Sequence, residues 1–396
     1  MKLEDFKITF DNPRGVFNVG DEVKGNVCIS LNQPMKMRNI KLYFEGKGKS
    51  HWEVKQGRSK TDYRAQESYI NYTIILFGAA NTTSEHPAGS HFYPFSLRLA
   101  PNLPSSFEGK RGYVRYFCKA TIDRPWKFDE NTKRAFTVIH HLDLNASPEA
   151  GYPIYAEQEE SIAGCCCSDG SISAVLSINK KGYVPGEPLN YSIHVDNRSD
   201  KNIERMLLEL KQDVTYTGYS SSLFSSGNPK THVKSDVFCL FSGTRNVNPN
   251  NSEDINQTAT IPALPPSNLD GCGIIDIQYT LVLTVSVGWS TLEIEKEIII
   301  GTIPLHIPMA VPSFPSVVPP GTMATAPPLE PPPYVDPPPA YEDCVFGGAN
   351  IRDENDDEHT TGLSAWTPAY PYYHWGENGP PPIAVPSAPP PAYNQV

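Results

Sequence analysis

The chain has 396 residues, 33 Lys and Arg against 44 Asp and Glu, and a formal net charge of −11. That length favours two or three domains over one. No apolar run reaches the roughly 18 residues of a membrane-spanning helix. Met1-Lys2-Leu3-Glu4-Asp5 opens without the apolar core of a signal peptide. The eight cysteines, three of them consecutive, make no disulfide framework. A cytosolic, reduced protein is expected.

Period-two alternation runs through the first 310 residues. Phe6, Ile8 and Phe10 alternate with polar neighbours, as do Val23, Val27, Ile29 and Leu31 with Gly25 in phase, then Ile40, Leu42 and Phe44. Val114, Tyr116, Cys118, Ala120 and Ile122 hold one face of a later strand, with Arg115 and Lys119 on the other. Ile275, Ile277, Tyr279, Leu281, Leu283, Val285 and Val287 form the longest alternation. Many short strands bounded by Gly, Pro and Asn, without a long amphipathic helix, predict antiparallel sheets with one wet face and hence an all-β fold of sandwiches.

The chain also repeats itself. Gly20-Asp21-Glu22-Val23 aligns with Gly186-Glu187-Pro188-Leu189, and with no gap Val27 and Ile29 fall on Ile193 and Val195. Ile40, Leu42 and Phe44 then fall on Met206, Leu208 and Leu210. A period of that size indicates two whole domains rather than a solenoid. We expect sandwiches over residues 1–145 and 171–310, joined by a linker over 146–170, where Pro148, Gly151 and Pro153 interrupt a polar stretch.

Beyond residue 310 the alternation stops. Residues 311–396 hold 21 of the 39 prolines, ten acids and one base, Arg352. The first 310 residues, with 32 bases and 34 acids, are near neutral, which argues against a nucleic-acid partner. Such a tail buries too little apolar surface to offset its ordering entropy, so 311–396 is expected to be disordered and biased to polyproline II.

Three Pro-Pro-x-Tyr motifs lie in this tail: Pro331-Pro332-Pro333-Tyr334, Pro338-Pro339-Ala340-Tyr341 and Pro390-Pro391-Ala392-Tyr393. Proline holds φ near its bound value, so docking into the aromatic groove of a WW-type domain costs little entropy, and tyrosine supplies an amphipathic anchor. Tyr334 and Tyr341 stand seven residues apart, roughly 22 Å when extended, so they compete for one module. Tyr393 follows 52 residues after Tyr341, a span of roughly 40 Å for a flexible chain. Two modules of one partner could therefore be engaged together. Trp366, Tyr370, Tyr372, Tyr373 and Trp375 read either as a second docking segment or as an unused sticky stretch.

Other candidates are weaker. Cys165, Cys166 and Cys167 lack zinc-ligand spacing and are free thiols at a domain junction or lipidation sites. Lys110, Arg111, Arg115, Lys119, Arg124 and Lys127 form a solvated sheet face or a surface attracting an acidic partner segment or anionic lipid. No nucleophile with a base, phosphate loop or metal-ligand set is recognisable, so neither catalysis, metal nor cofactor is expected.

Several strings then resemble a known family. Phe6 to Phe10, Gly15-Val16-Phe17 and Gly20-Asp21-Glu22-Val23 are similar to the start of an arrestin N-terminal domain. Phe92-Tyr93-Pro94-Phe95, the stretch from Leu103 to Gly109, Val114-Arg115-Tyr116, Arg124-Pro125-Trp126 and Phe136-Thr137-Val138 continue it. The run from Lys181 to Glu187 resembles the opening of the arrestin C-terminal domain, and Gly301-Thr302-Ile303-Pro304-Leu305 its last strand. With the Pro-Pro-x-Tyr tail, the chain resembles the arrestin domain-containing proteins, the α-arrestins. The resemblance implies two tandem immunoglobulin-like, arrestin-type sandwiches and an adaptor without catalysis. It implies that the tail recruits WW-domain HECT-type E3 ubiquitin ligases, while the body engages transmembrane receptors or transporters that are ubiquitinated and sorted through endosomes. It places the protein in the cytoplasm, peripheral at the plasma membrane and endosomes. The family commonly carries two such motifs, and the third here leaves ligase geometry open. The alternative is a sorting or signalling scaffold that acts through its body, with a merely regulatory tail.

Overall fold

The computed structural model describes residues 2–80, 82–163, 168–220, 227–243, 247–306, 349–354, 356–362 and 366–373. The first domain holds β1 (Leu3–Phe10), β2 (Val16–Asn18), β3 (Glu22–Leu31), β4 (Met35–Met37), β5 (Asn39–Gln56), β6 (Ser59–Gly78), β7 (Ser84–His86), β8 (Gly89–Arg98), β9 (Phe107–Gly109), β10 (Gly112–Asp123) and β11 (Glu130–Ile139). The second holds β12 (Ile154–Ala163), β13 (Ser168–Ile178), β14 (Gly182–Tyr183), β15 (Pro188–Asn197), β16 (Ile203–Ser220), β17 (Lys230–Gly243), β18 (Asn251–Thr260), β19 (Ile275–Val287) and β20 (Ser290–Ile300). A last strand, β21 (Thr360–Gly362), comes from the tail.

Each domain is a sandwich. In the first, β1-β3-β8 face β6-β5-β10-β11-β2; in the second, β12-β13-β15-β18 face β14-β20-β19-β16, with β17 beside β16. The alternating residues point inward as their period requires: Phe6 pairs across from Ile29, Ile8 from Val27 and Phe10 from Gly25. A side chain at Gly25 would strike the Thr9 carbonyl and the Phe95 ring. Edge-to-face rings fill this core, with Phe10, Phe17 and Phe136 mutually 5.7–5.8 Å apart and Phe44 5.6 Å from Phe95.

The duplication read from the sequence reappears as repeated devices. Gly20 and Gly186 both sit in the left-handed region, at φ 84° and 86°. The acid after each accepts a backbone N–H three residues back, Asn18 to Asp21 at 2.8 Å and Val184 to Glu187 at 3.0 Å. The buried Tyr116 donates to the Pro104 carbonyl at 2.7 Å, and Tyr279 to that of Pro265 at 2.8 Å. Ser106 accepts from Val138 N–H and Ser267 from Ile300 N–H, both at 2.9 Å.

The domains are stitched by backbone. The end of β16 pairs with β6, Tyr219 opposite Arg64 and Ser220 opposite Tyr63, so one twelve-stranded sheet runs through both. Trp52 stacks between Tyr63 and His232 at this joint. The expected linker over 146–170 needs correction. It holds a short 3-10 turn, Pro148–Gly151, and then β12, a full strand antiparallel to β13. The Glu157-Gln158-Glu159-Glu160 run made it read as a polar connection, but an edge strand buries little besides Ala156 and Ile162.

Candidate functional site

The Pro-Pro-x-Tyr residues Pro331, Pro332, Tyr334, Pro338, Pro339, Tyr341, Pro390, Pro391 and Tyr393, and Cys165, Cys166 and Cys167, lie outside the described residues. The described part of the tail does something the sequence reading did not anticipate. Residues 349–354, 356–362 and 366–373 pack against the body, which corrects the expectation of disorder for this stretch of 311–396. Composition misjudged it because its apolar groups need no core of their own; they complete one that the body provides.

The seat is the outer face of β5, β10 and β11. Inward residues of β10 are Val114, Tyr116, Cys118, Ala120 and Ile122, so Arg115, Phe117 and Lys119 face out. Lys119 stands directly opposite Lys133 of β11, and Phe117 opposite Ala135. Like charges directly across a ladder repel. Yet Lys133 is 3% exposed and Phe117 2% exposed. The tail explains both. Ile351, with Trp366 beside it, covers Phe117 and Ala135. The Asp356 carboxylate, 1% exposed, bridges the two lysines, at 2.7 Å from Lys119 Nζ and 2.8 Å from Lys133 Nζ. Asp353 is shared between Lys47 at 3.0 Å and Lys133 at 3.1 Å. Lys133 donates its remaining N–H to the Ile351 carbonyl at 2.8 Å, so its three donors are used, and its ammonium lies 3.9 Å from the Phe117 ring centroid. With Glu45 on Lys47, three ammoniums meet three carboxylates. That neutrality and full hydrogen bonding are what a buried ionic cluster requires.

Downstream, β21 adds in parallel to β11 along the edge that β2 occupies further on, Thr360 opposite Asn131 and Gly362 opposite Lys133. The segment then crosses to the domain joint. Tyr370, 1% exposed, donates to the Ser106 carbonyl at 2.8 Å. Tyr373 donates through its hydroxyl to the Thr302 carbonyl at 2.6 Å and through its backbone N–H to Pro185 at 3.0 Å. Gly186 permits this approach, since a Cβ there would lie 2.1 Å from the Tyr373 carbonyl oxygen. The aromatic cluster therefore docks partly in its own body, through Tyr370 and Tyr373; Trp375 lies outside the described residues.

The basic cluster is dispersed. Lys110 pairs with Asp236 at 2.5 Å, Arg115 with Glu108 and Arg124 with Glu130. Arg111 and Lys127 are exposed and take no part in the tail's seat. Lys119 meets an acidic segment, that of its own tail. Lys47 and Lys133 were missed, although an outward Phe117 on an otherwise polar face was a legible signal.

The electrostatics set a pH dependence. Burial pushes the Asp356 carboxyl up, but hydrogen bonds from Lys119 and Lys133 outweigh it and hold it below the ordinary carboxylate value. A carboxyl with a lower pKa docked than free favours docking above its free value, near 4, and loses that contribution as pH falls through the docked value. Protection of the amides of Thr360, Trp366 and Tyr373 from hydrogen exchange is expected to be flat between about pH 5 and 8 and to fall only below about pH 4. Loss already between about pH 6 and 7 would contradict the assignment.

Two tandem sandwiches with a shared sheet define an arrestin-type protein. Residues 6–145 match the arrestin (or S-antigen) N-terminal domain and residues 168–305 the arrestin C-terminal domain, and the chain belongs to the arrestin family. Its relatives place it among the α-arrestins. It is 33% identical over 317 residues to arrestin domain-containing protein 17 of Caenorhabditis elegans, covering 77% of this chain and 72% of that protein. It is 28% identical to mouse arrestin domain-containing protein 4 (74% of this chain, 70% of that protein). It is 25% identical to human thioredoxin-interacting protein (76% and 75%). Arrestin-family proteins are non-enzymatic. No helix of the described residues is long and apolar enough to cross a membrane.

Proposed function

We propose that the chain is an adaptor. Its tail recruits WW-domain HECT-type E3 ubiquitin ligases through residues 331–334, 338–341 and 390–393, and its body engages transmembrane receptors or transporters, which are then ubiquitinated, internalised and sorted through endosomes. The observation that carries this is the threefold Pro-Pro-x-Tyr in the tail of an α-arrestin. Membrane association is peripheral, at the cytosolic faces of the plasma membrane and endosomes. The tether raises the ligase's effective concentration near cargo lysines.

Tyr334→Ala with Tyr341→Ala is expected to remove at least tenfold of the capture by a WW-domain array, since each lost anchor costs about 1–2 kcal/mol or more. Tyr393→Ala alone should have less effect. Undiminished capture by the double variant rejects the motif assignment.

A second reading is a scaffold that acts through its body with a regulatory tail. The docking of residues 349–354, 356–362 and 366–373 on the body favours it. It expects a chain with all three motif tyrosines changed to alanine to retain endosomal recruitment and cargo flux, which live-cell imaging and cargo-uptake assays measure.

A further inference from the structure

We infer that the docked segment is an anchor that fixes where the ligase-binding motifs leave the body, so that a ligase held by residues 331–341 works over the lysine face of the first domain. The inference rests on the adaptor reading and adds to it the placement of the partner.

The argument starts from chain lengths. His306 is the last described residue of the second domain before the tail, and Tyr341 follows it by 35 residues. If His306 were the only attachment, Tyr341 would be limited only by a contour of about 120 Å. The seat changes this. Ala349, eight residues after Tyr341, is held by paired hydrogen bonds with Trp366, at 2.8 Å and 2.9 Å, above the Phe117 surface. Eight residues reach at most about 28 Å. The distance Tyr341 can lie from this face is thereby cut from the reach of 35 residues to that of eight, which confines a partner bound there to the neighbourhood of the seat.

The far side of the anchor is separate. Tyr373 sits at the domain joint on Pro185 and Thr302, and Pro390 follows it by 17 residues. One long tail thus becomes two shorter tethers that leave from different places. The seat is built to hold. Its Asp356 and Lys133 side chains are almost wholly enclosed, and a hydrogen-bonded, buried tyrosine fastens each of the two domains.

The test uses the full chain with Tyr393→Ala, so that only the proximal pair binds. A single WW domain bearing a photo-crosslinker is bound to three forms, and its crosslinks are mapped by mass spectrometry. The first has the seat intact. The second has twenty Gly and Ser residues inserted between Gly347 and Gly348, which lengthens the tether from eight to 28 residues and leaves the seat untouched. The third carries Asp356→Lys. Affinity for the single WW domain is expected to be equal in all three. Crosslinks to the first domain should fall severalfold with the insertion and at least as far with Asp356→Lys. Equal crosslinking in the intact and inserted forms overturns the anchor while leaving the adaptor reading standing. No WW binding in any form overturns the adaptor reading, and the anchor with it. Should Asp356→Lys fail to fold, the insertion decides alone.

Discussion

Asp356→Lys is expected to release residues 349–354, 356–362 and 366–373 from the body. The Asp356 carboxylate lies between Lys119 and Lys133, which face each other across β10 and β11, and shares Lys133 with Asp353. Reversing its charge puts a third ammonium between two others in an enclosed site. Breaking a buried pair in this way costs about 3–5 kcal/mol. A segment attached only at its ends can avoid that cost by leaving, so the loss appears as undocking rather than as unfolding of the sandwich. A change of that size shifts the docking equilibrium by about two to four powers of ten. Hydrogen exchange reads it directly. The amides of Thr360, Trp366 and Tyr373 should be protected in the unaltered chain and exchange at open-chain rates in the variant, while those inside β3 and β19 stay slow. Asp356→Asn, which keeps the shape and removes the charge, should fall between. Unchanged protection in Asp356→Lys would show that the aromatic fasteners hold the segment without the lysine face.

Glu187→Ala should strongly destabilise the second domain. Glu187 and Lys180 form an ion pair with both side chains under 10% exposed, and Glu187 also accepts the Val184 N–H of its turn. Burial pushes the Glu187 carboxyl up, against the opposing pull of Lys180 and of the Val184 N–H. Removing the carboxylate strands a buried ammonium and an unpaired N–H, a loss of about 3–5 kcal/mol. For a domain of this size that lowers Tm by roughly 10 °C, measurable by calorimetry. Adding Lys180→Met should restore part of the loss, because the stranded charge goes with it. The equivalent Asp21→Ala leaves no such charge behind and should cost only about 1 kcal/mol. Equal losses at the two positions would refute this account of the pair.

Much of the body was legible because period-two patterning carries its own face assignment. Every inward residue expected on β10 and β19 is buried, and the Gly-acid turn at Gly20 and Gly186 recurs with the same backbone angle. The boundary was misjudged at β12 because an edge strand with four polar residues in a row lacks that pattern. The basic cluster was legible as residues but not as a surface: three of its members neutralise acids of the body, only Lys119 reaches the seat, and the other two seat lysines, Lys47 and Lys133, lie outside the cluster and 86 residues apart in the chain.

The sequence by itself determined the sandwiches, their duplication and the tail motifs, since each rests on neighbouring residues or a fixed short spacing. Only the tertiary structure decided where the tail goes. Whether Ile351, Asp353, Asp356, Tyr370 and Tyr373 are solvated or enclosed depends on complementary groups supplied by strands more than two hundred residues earlier and by the joint of the two domains. Composition sums a segment's own capacity for burial. It cannot register a surface that another part of the chain has already prepared.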